Sequence, residues 1–394
     1  MISVAEADRR LAGLIPSRSA ETVALERAVG RILAEELVAD RDGPPYDRVA
    51  MDGYAVDASE EVRTWTITGL QLAGRPPLDR TGRATAIEVA AGAVLPRGCD
   101  AVIPYETTQR TNDTVGLKDG EAFPVSGRHV HRKGTDFHQG DVLLQAGTRL
   151  LSPHLHSLAS AGIDPVAVVR RPVWALAATG DELVDIREQP EAWQIRRSNA
   201  AAIAGEAAAW GLAPRDQVVL PDDQDKLVRG IEQLLPDLDV LVLTGGASAG
   251  VLDLVPAALK ALGVETIFHK INQRPGKPLW CGRLPSSQQG SATLVFGLPG
   301  NPVSSLFAFR RYVLPWLLAC EGRPPAERRV KAPMAERIPP GQTIFVPWSD
   351  TLGRQDTHGS GDFLALAGST GFLEIDNDPR SLKEPRYFPW GGVL

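Results

Sequence analysis

The chain has 394 residues, enough for two to four domains with sizeable cores. An apolar content of 43%, a charged content of 23% and a net charge of −6 are those of an ordinary globular protein. They exclude a nucleic-acid surface, because no run of Lys and Arg is long enough to track a phosphate backbone. Any anionic ligand must be caught by local groups against an unfavourable overall field. No uncharged apolar run approaches membrane-spanning length, so no membrane partner is expected. The N-terminus lacks a basic region and a long apolar core, so no signal peptide is expected. Cys99, Cys281 and Cys320 are odd in number and far apart. That argues against a disulfide framework and for a reducing compartment, the cytoplasm.

In chain order, Ser3-Val-Ala-Glu6 is a capping-box pattern that predicts a helix to about Ile15. Residues 21–38 predict a short strand and then a helix with Leu25, Val29, Ile32 and Leu33 on one face. Residues 57–137 predict a small β domain, from short apolar runs broken by Gly, Pro and Asp. Pro153 opens a helix, and Val166–Val169 is a short strand. From 172 onward strands and helices alternate. The strands are Val173–Ala178, Gln217–Leu220, Asp239–Leu243, Thr266–Phe268, Leu279–Trp280 and Leu294–Phe296. The helices are Ser198–Trp210, Gln224–Leu235, Pro256–Leu262 and one long helix Pro302–Cys320. This pattern predicts a doubly wound, mostly parallel sheet. Glu321-Gly-Arg-Pro-Pro-Ala is a linker, and a second β domain follows it. The division expected is 1–48 with 138–171 (N-terminal α/β dimerisation region), 49–137 (β-rich), 172–320 (α/β) and 321–394 (C-terminal β).

Ligands of such sheets collect beyond the carboxyl ends of the strands, and four loops fall there. Thr179-Gly-Asp-Glu182 puts Asp181 and Glu182 just past a strand, a pair suited to Mg²⁺ or simply a solvated acidic turn. Thr244-Gly-Gly-Ala-Ser-Ala-Gly250 follows a fully apolar strand and brings backbone N–H groups to an anion. It is not a P-loop, because Val251-Leu252 stands where Lys-Ser/Thr belongs. Asp253 caps the next helix or holds a metal. Gln273-Arg-Pro-Gly-Lys-Pro278 holds Arg274 and Lys277 on one tight turn, a pair suited to phosphate or another oxyanion. Leu298-Pro-Gly-Asn-Pro302 starts a helix with Asn301 as N-cap and Pro302 at the first position. Its free N–H groups, with Ser304 and Ser305, offer positive potential to an anion. His129-Val-His131 shares a face if extended, but no Cys completes a zinc set.

Taken together, these loops resemble the molybdopterin molybdenumtransferase family, which includes the E domain of gephyrin. The motifs are Pro44-Pro-Tyr-Asp-Arg-Val-Ala-Met-Asp-Gly-Tyr-Ala-Val56, Gly134-Thr-Asp136, Thr179-Gly-Asp-Glu182, Thr244–Gly250 with Asp253, Arg274-Pro-Gly-Lys-Pro278 and Leu298-Pro-Gly-Asn-Pro302. The resemblance covers nearly the whole chain. It implies an elongated homodimer of four-subdomain protomers that inserts molybdate into adenylylated molybdopterin, with Mg²⁺ and release of AMP, in molybdenum cofactor biosynthesis. Other proteins of that biosynthesis are possible partners.

By the same resemblance, Glu182, Asp136, Asp52 and Asp253 are expected catalytic residues, and Glu182, Asp181 and Asp253 metal ligands. Asp222 or Asp223 is a weaker match. Thr179, Gly180, Ser198, Asn199, Gly245, Gly246, Ser248, Gly250, Arg274, Lys277, Pro299, Gly300, Asn301, Pro302 and Ser304 are expected to bind the pterin substrate. Val49 stands where the family usually has Ser, Ala91 where many members have Thr, and Val251 replaces a frequent acidic residue. These departures leave an alternative: a diverged paralogue that binds or delivers pterin or cofactor without turnover. A further alternative is a molybdopterin adenylyltransferase, disfavoured by the extra β domains and the Met-Asp-Gly-Tyr motif.

Overall fold

The alternation that begins at 172 folds into a six-stranded sheet in a computed structural model. The strand order is Asp216–Leu220, Trp174–Thr179, Val240–Thr244, Thr293–Leu298, Trp280–Leu284, Glu265–His269. The first four are parallel, and Trp280–Leu284 is antiparallel to both its neighbours. Two reversals restore direction, so Glu265–His269 points the same way as the first four. The structure describes residues 1–246, 254–285, 292–323, 327–332, 338–355 and 357–391. They form two compact units, Met1–Glu21 with Val169–Leu394, and Thr22–Val168.

In the α/β sheet the central strands Trp174–Thr179, Val240–Thr244 and Thr293–Leu298 bury both faces, as their largely apolar sequences require. Trp174, Leu176, Val240, Val242 and Phe296 point to one side, among Ile203, Ala207, Phe309 and Leu317 of the covering helices. Ala175, Ala177, Leu241, Leu243 and Val295 point to the other, against Leu227, Ile231, Ala258 and Leu259. Each buried Leu or Val contributes about 1.5–3 kcal/mol. Helix Val4–Ala12 buries Val4, Ala7 and Leu11 in the first of these cores, so the chain start packs with the α/β sheet. Ser3 caps that helix through its Oγ, which accepts from the Glu6 N–H at 3.2 Å. The Glu6 carboxylate turns to Arg10 at 2.6 Å and does not close a capping box.

The long helix expected from Pro302 is interrupted. It runs Pro302–Ala308, widens into a π turn at Phe309–Val313 and continues as Leu314–Glu321. Pro315 has no N–H to give to Arg311 and its ring crowds the preceding turn, which accounts for the wider step there. All five residues of the π turn are buried.

The C-terminal sheet has the order Gln273–Arg274, Thr343–Ser349, Gly371–Ile375, Arg386–Pro389, Arg328–Arg329. Its edge strand Gln273–Arg274 thus comes from the α/β domain and pairs in parallel with Thr343–Ser349. Phe307 stacks on Phe372 at 4.4 Å, and Phe372 on Phe388 at 4.9 Å. These rings seal the C-terminal sheet onto the first turns of the long helix.

The second unit holds a six-stranded β sheet in the order Ala101–Pro104, Gly53–Val56, Thr85–Val89, Thr64–Gln71, Thr114–Leu117, Thr108–Thr111. A second core there contains Ala28, Leu33, Leu37, Leu150 and Leu158. The helix expected after residue 24 is only a 3₁₀ turn, Leu25–Arg27. Gly30 in the left-handed region (φ +80°) ends any continuation. Val49 is buried with Ala55, Ile87 and Val89, so the departure at that position fills a core. His129 also sits in the left-handed region (φ 57°), so His129 and His131 do not form the extended pair their spacing suggested.

Candidate active site

Three parallel strands end level with one another. Ala178 pairs with Thr244, and Thr244 with Leu298. The loops that follow meet through glycines. A Cβ on Gly245, whose φ is +90°, would lie 2.6 Å from the carbonyl oxygen of Thr179 and 2.9 Å from its Oγ1. A Cβ on Gly300 would lie 3.7 Å from the Gly245 Cα. Thr179, Gly245 and Gly300 therefore form one continuous floor. Asn199, in the first turn of helix Ser198–Ala209, donates from Nδ2 to the Gly300 carbonyl at 2.6 Å and locks that helix start to the floor. Thr179 is 5% exposed and its hydroxyl has no hydrogen-bond partner among the described residues, although it faces the glycine corner.

Asp181 and Glu182 stand at the edge of this floor. Gly180 has φ +147°, and a Cβ there would meet the Glu182 carboxylate at 2.5 Å. Glu182 thus folds back over the strand end, and its carbonyl accepts from the Ile195 N–H at 2.8 Å. Asp181 Oδ1 accepts from the Asp222 N–H at 3.1 Å. Asp223 caps helix Gln224–Leu234, accepting from the Lys226 N–H at 2.9 Å. Asp185 accepts from the Arg187 N–H and pairs with Arg197, which hold its carboxyl below the usual range and pin the loop after Glu182, whose ends Leu183–Val184 and Ile195–Arg196 pair in parallel. Two adjacent carboxylates at a strand end give the hard oxygen donors that Mg²⁺ takes, with waters and substrate phosphates filling its other positions. Among the described residues no group of three or more His, Cys, Asp or Glu forms a metal cluster. Ser248, Gly250 and Asp253 lie outside the described residues.

The cationic turn reaches the same rim, because it follows a strand that runs in the common direction. A Cβ on Gly276 would lie 3.6 Å from the Ser304 carbonyl oxygen, so the turn rests on the first turn of the long helix. Arg274 and Lys277 are exposed. Among the described residues neither has an ion-pair partner.

The start of the long helix differs from its expected form. Asn301 makes no side-chain cap. Its Nδ2 donates to Ser360 Oγ at 2.7 Å, and the Ser360 carbonyl takes the Val303 N–H at 3.1 Å. A segment of the C-terminal domain thus occupies part of the N-terminus predicted to be open. Pro302 has no N–H to offer, and Ser304 and Ser305 are buried. Ser360 carried no sequence signal beyond its flanking glycines. Nor was there a signal for an apolar cleft of about 430 Å³ beside Ser198 and Asn199, walled by Leu306, Phe363, Leu366 and Trp390.

The remaining expected acids, Asp52 and Asp136, belong to the second compact unit. Asp52 Oδ1 accepts from the Ala91 N–H at 2.8 Å. Asp136 Oδ1 lies 3.0 Å from His131 Nε2, and Arg48 lies 3.0 Å from the other ring nitrogen.

Comparison with known proteins agrees with this architecture. Residues 2–162 match the model of the MoeA N-terminal region (domain I and II). Residues 175–319 match that of a probable molybdopterin binding domain. A molybdopterin molybdenumtransferase from Synechocystis is 33% identical over 99% of both chains. One from Bacillus subtilis is 33% identical over 80% of this chain and 75% of its own. A crystal structure of a molybdopterin biosynthesis MoeA protein from Pyrococcus horikoshii superposes with a TM-score of 0.80 at 30% identity, covering 100% of each chain. A second structure from that organism gives 0.72 at 27% identity, over 100% of this chain and 98% of the other. With a relative this similar along its whole length, the chain belongs to the molybdopterin molybdenumtransferase family.

Proposed function

We propose that this protein inserts molybdate into adenylylated molybdopterin and releases AMP, as an enzyme of molybdenum cofactor biosynthesis. The observation that carries the reading is the shared floor of Thr179, Gly245 and Gly300, with Arg274 and Lys277 at the same rim and without ion-pair partners among the described residues. Cleaving the phosphate link builds charge on the phosphoryl oxygens, and two cations carried on one turn meet that charge. Arg274 serves as a planar fork and Lys277 as a point charge for the phosphate or the oxyanion. The Thr179 hydroxyl, buried and without a partner among the described residues, donates to a substrate oxygen at the glycine corner. Glu182 and Asp181 would hold Mg²⁺, which would neutralise developing phosphoryl charge when bound. Glu182 also orients the attacking water.

The active form in this reading is a homodimer of four-part protomers. The scattered free cysteines support a cytoplasmic setting. The loop that carries Asp52, with Asp136, faces the α/β domain of the partner protomer and completes the acidic side of the site. Incubating purified protein with adenylylated molybdopterin, molybdate and Mg²⁺ tests the proposal. Stoichiometric AMP and active cofactor are expected. Tight pterin binding without AMP would assign the chain to delivery.

A further inference from the structure

Gln273 and Tyr312 are polar side chains in the interior, 2% and 1% exposed. Neither touches the floor described above. Burying an amide and a phenol is costly unless both are satisfied. Here they satisfy each other: the Tyr312 hydroxyl donates to Gln273 Oε1, and Gln273 Nε2 donates to the Gly276 carbonyl at 3.0 Å. The orientation is fixed by chemistry. A carbonyl only accepts, so the amide nitrogen must face Gly276, which leaves Oε1 for the phenol.

Tyr312 is itself held. The π turn buries Arg311 and Tyr312 together. The Arg311 guanidinium lies 4.9 Å from the centre of the Tyr312 ring. That guanidinium makes two bonds to Asp8, at 2.8 and 2.9 Å, and pairs with Glu374. A chain of contacts therefore runs from the chain start and the C-terminal sheet, through the π turn, to the backbone of the cationic turn. Gly276 sits between Arg274 and Lys277, so fixing its carbonyl fixes the carrier of both charges.

We propose that Gln273 and Tyr312 are positioning residues that preorganise the Arg274–Lys277 turn for its anion. This inference rests on the reading that the turn binds an anion. A turn held from inside loses less freedom on binding, which raises affinity without any contact to the ligand.

Calorimetric titration of the full chain with molybdate, and separately with AMP, tests it in two stages. Lys277→Ala is expected to weaken at least one of them; if it weakens neither, both the anion reading and the relay fall. For the anion it weakens, Tyr312→Phe and Gln273→Leu are each expected to raise Kd about three- to tenfold, the effect of one net hydrogen bond. In a background that lacks both cations, Arg274→Ala with Lys277→Ala, the same changes are expected to add little, because they act through the turn that carries those charges. Thermal melts confirm that the variants are folded. Wild-type affinity in folded Tyr312→Phe and Gln273→Leu would overturn the relay and leave the anion reading standing. So would losses that are undiminished in the background lacking both cations.

Discussion

Gly245→Ala is the sharpest probe of the floor. The added methyl would sit 2.6 Å from the Thr179 carbonyl oxygen, where ordinary contact begins at 3.4 Å. The obstacle is backbone in the middle of a sheet, so the glycine loop must give way by most of an ångström. The residue would also be held at φ +90°, a left-handed conformation that costs about 1–3 kcal/mol without glycine. Overpacking adds about 1–3 kcal/mol. The total is about 2–6 kcal/mol, felt as lost stability or as a displaced loop. A displacement near 1 Å at a positioning element costs on the order of 10²-fold in rate. Differential scanning calorimetry and AMP release, run on the same sample, measure both. Wild-type stability together with wild-type turnover would refute the close-packed floor.

Three further predictions follow from the same geometry. Thr179→Val removes a buried hydroxyl with no partner; the melting temperature is expected to hold or rise, because about 1–3 kcal/mol of unsatisfied burial is relieved. AMP release should fall nonetheless, and unchanged turnover would take the hydroxyl out of the site. Glu182→Ala is expected to abolish turnover with the fold intact by circular dichroism, and undiminished activity would move the metal elsewhere. Arg311→Ala leaves Glu374 buried without its partner in the π turn; the expected loss is about 3–5 kcal/mol by chemical denaturation, partly relieved because Arg386 still reaches Glu374.

Much of the first unit was legible because its central strands are apolar runs and helices Val4–Ala12 and Gln224–Leu234 carry side-chain caps. Strand Val240–Thr244 and helix Gln224–Leu234 lie within a residue or two of their expected places. The glycine loops were legible as loops that bring backbone N–H groups to an anion; that Gly245 packs against the Thr179 backbone was not. Long-range effects were not legible. The π turn depends on Pro315 and on the partners of Arg311, which lie 303 and 63 residues away in sequence. The pairing of Gln273–Arg274 with the C-terminal sheet makes one short turn belong to two domains, and no local pattern encodes that. The helix expected near residue 30 failed because an apolar period fitted a segment that Gly30 breaks. Ser360 was invisible because its partner Asn301 looked complete as a cap.

The most direct test is a crystal structure of the protein soaked with AMP and molybdate. The account predicts density at the rim, within hydrogen-bonding reach of Lys277 and of the Thr179–Gly245–Gly300 floor. Both ligands bound elsewhere, with that rim empty at saturating concentration, would contradict it.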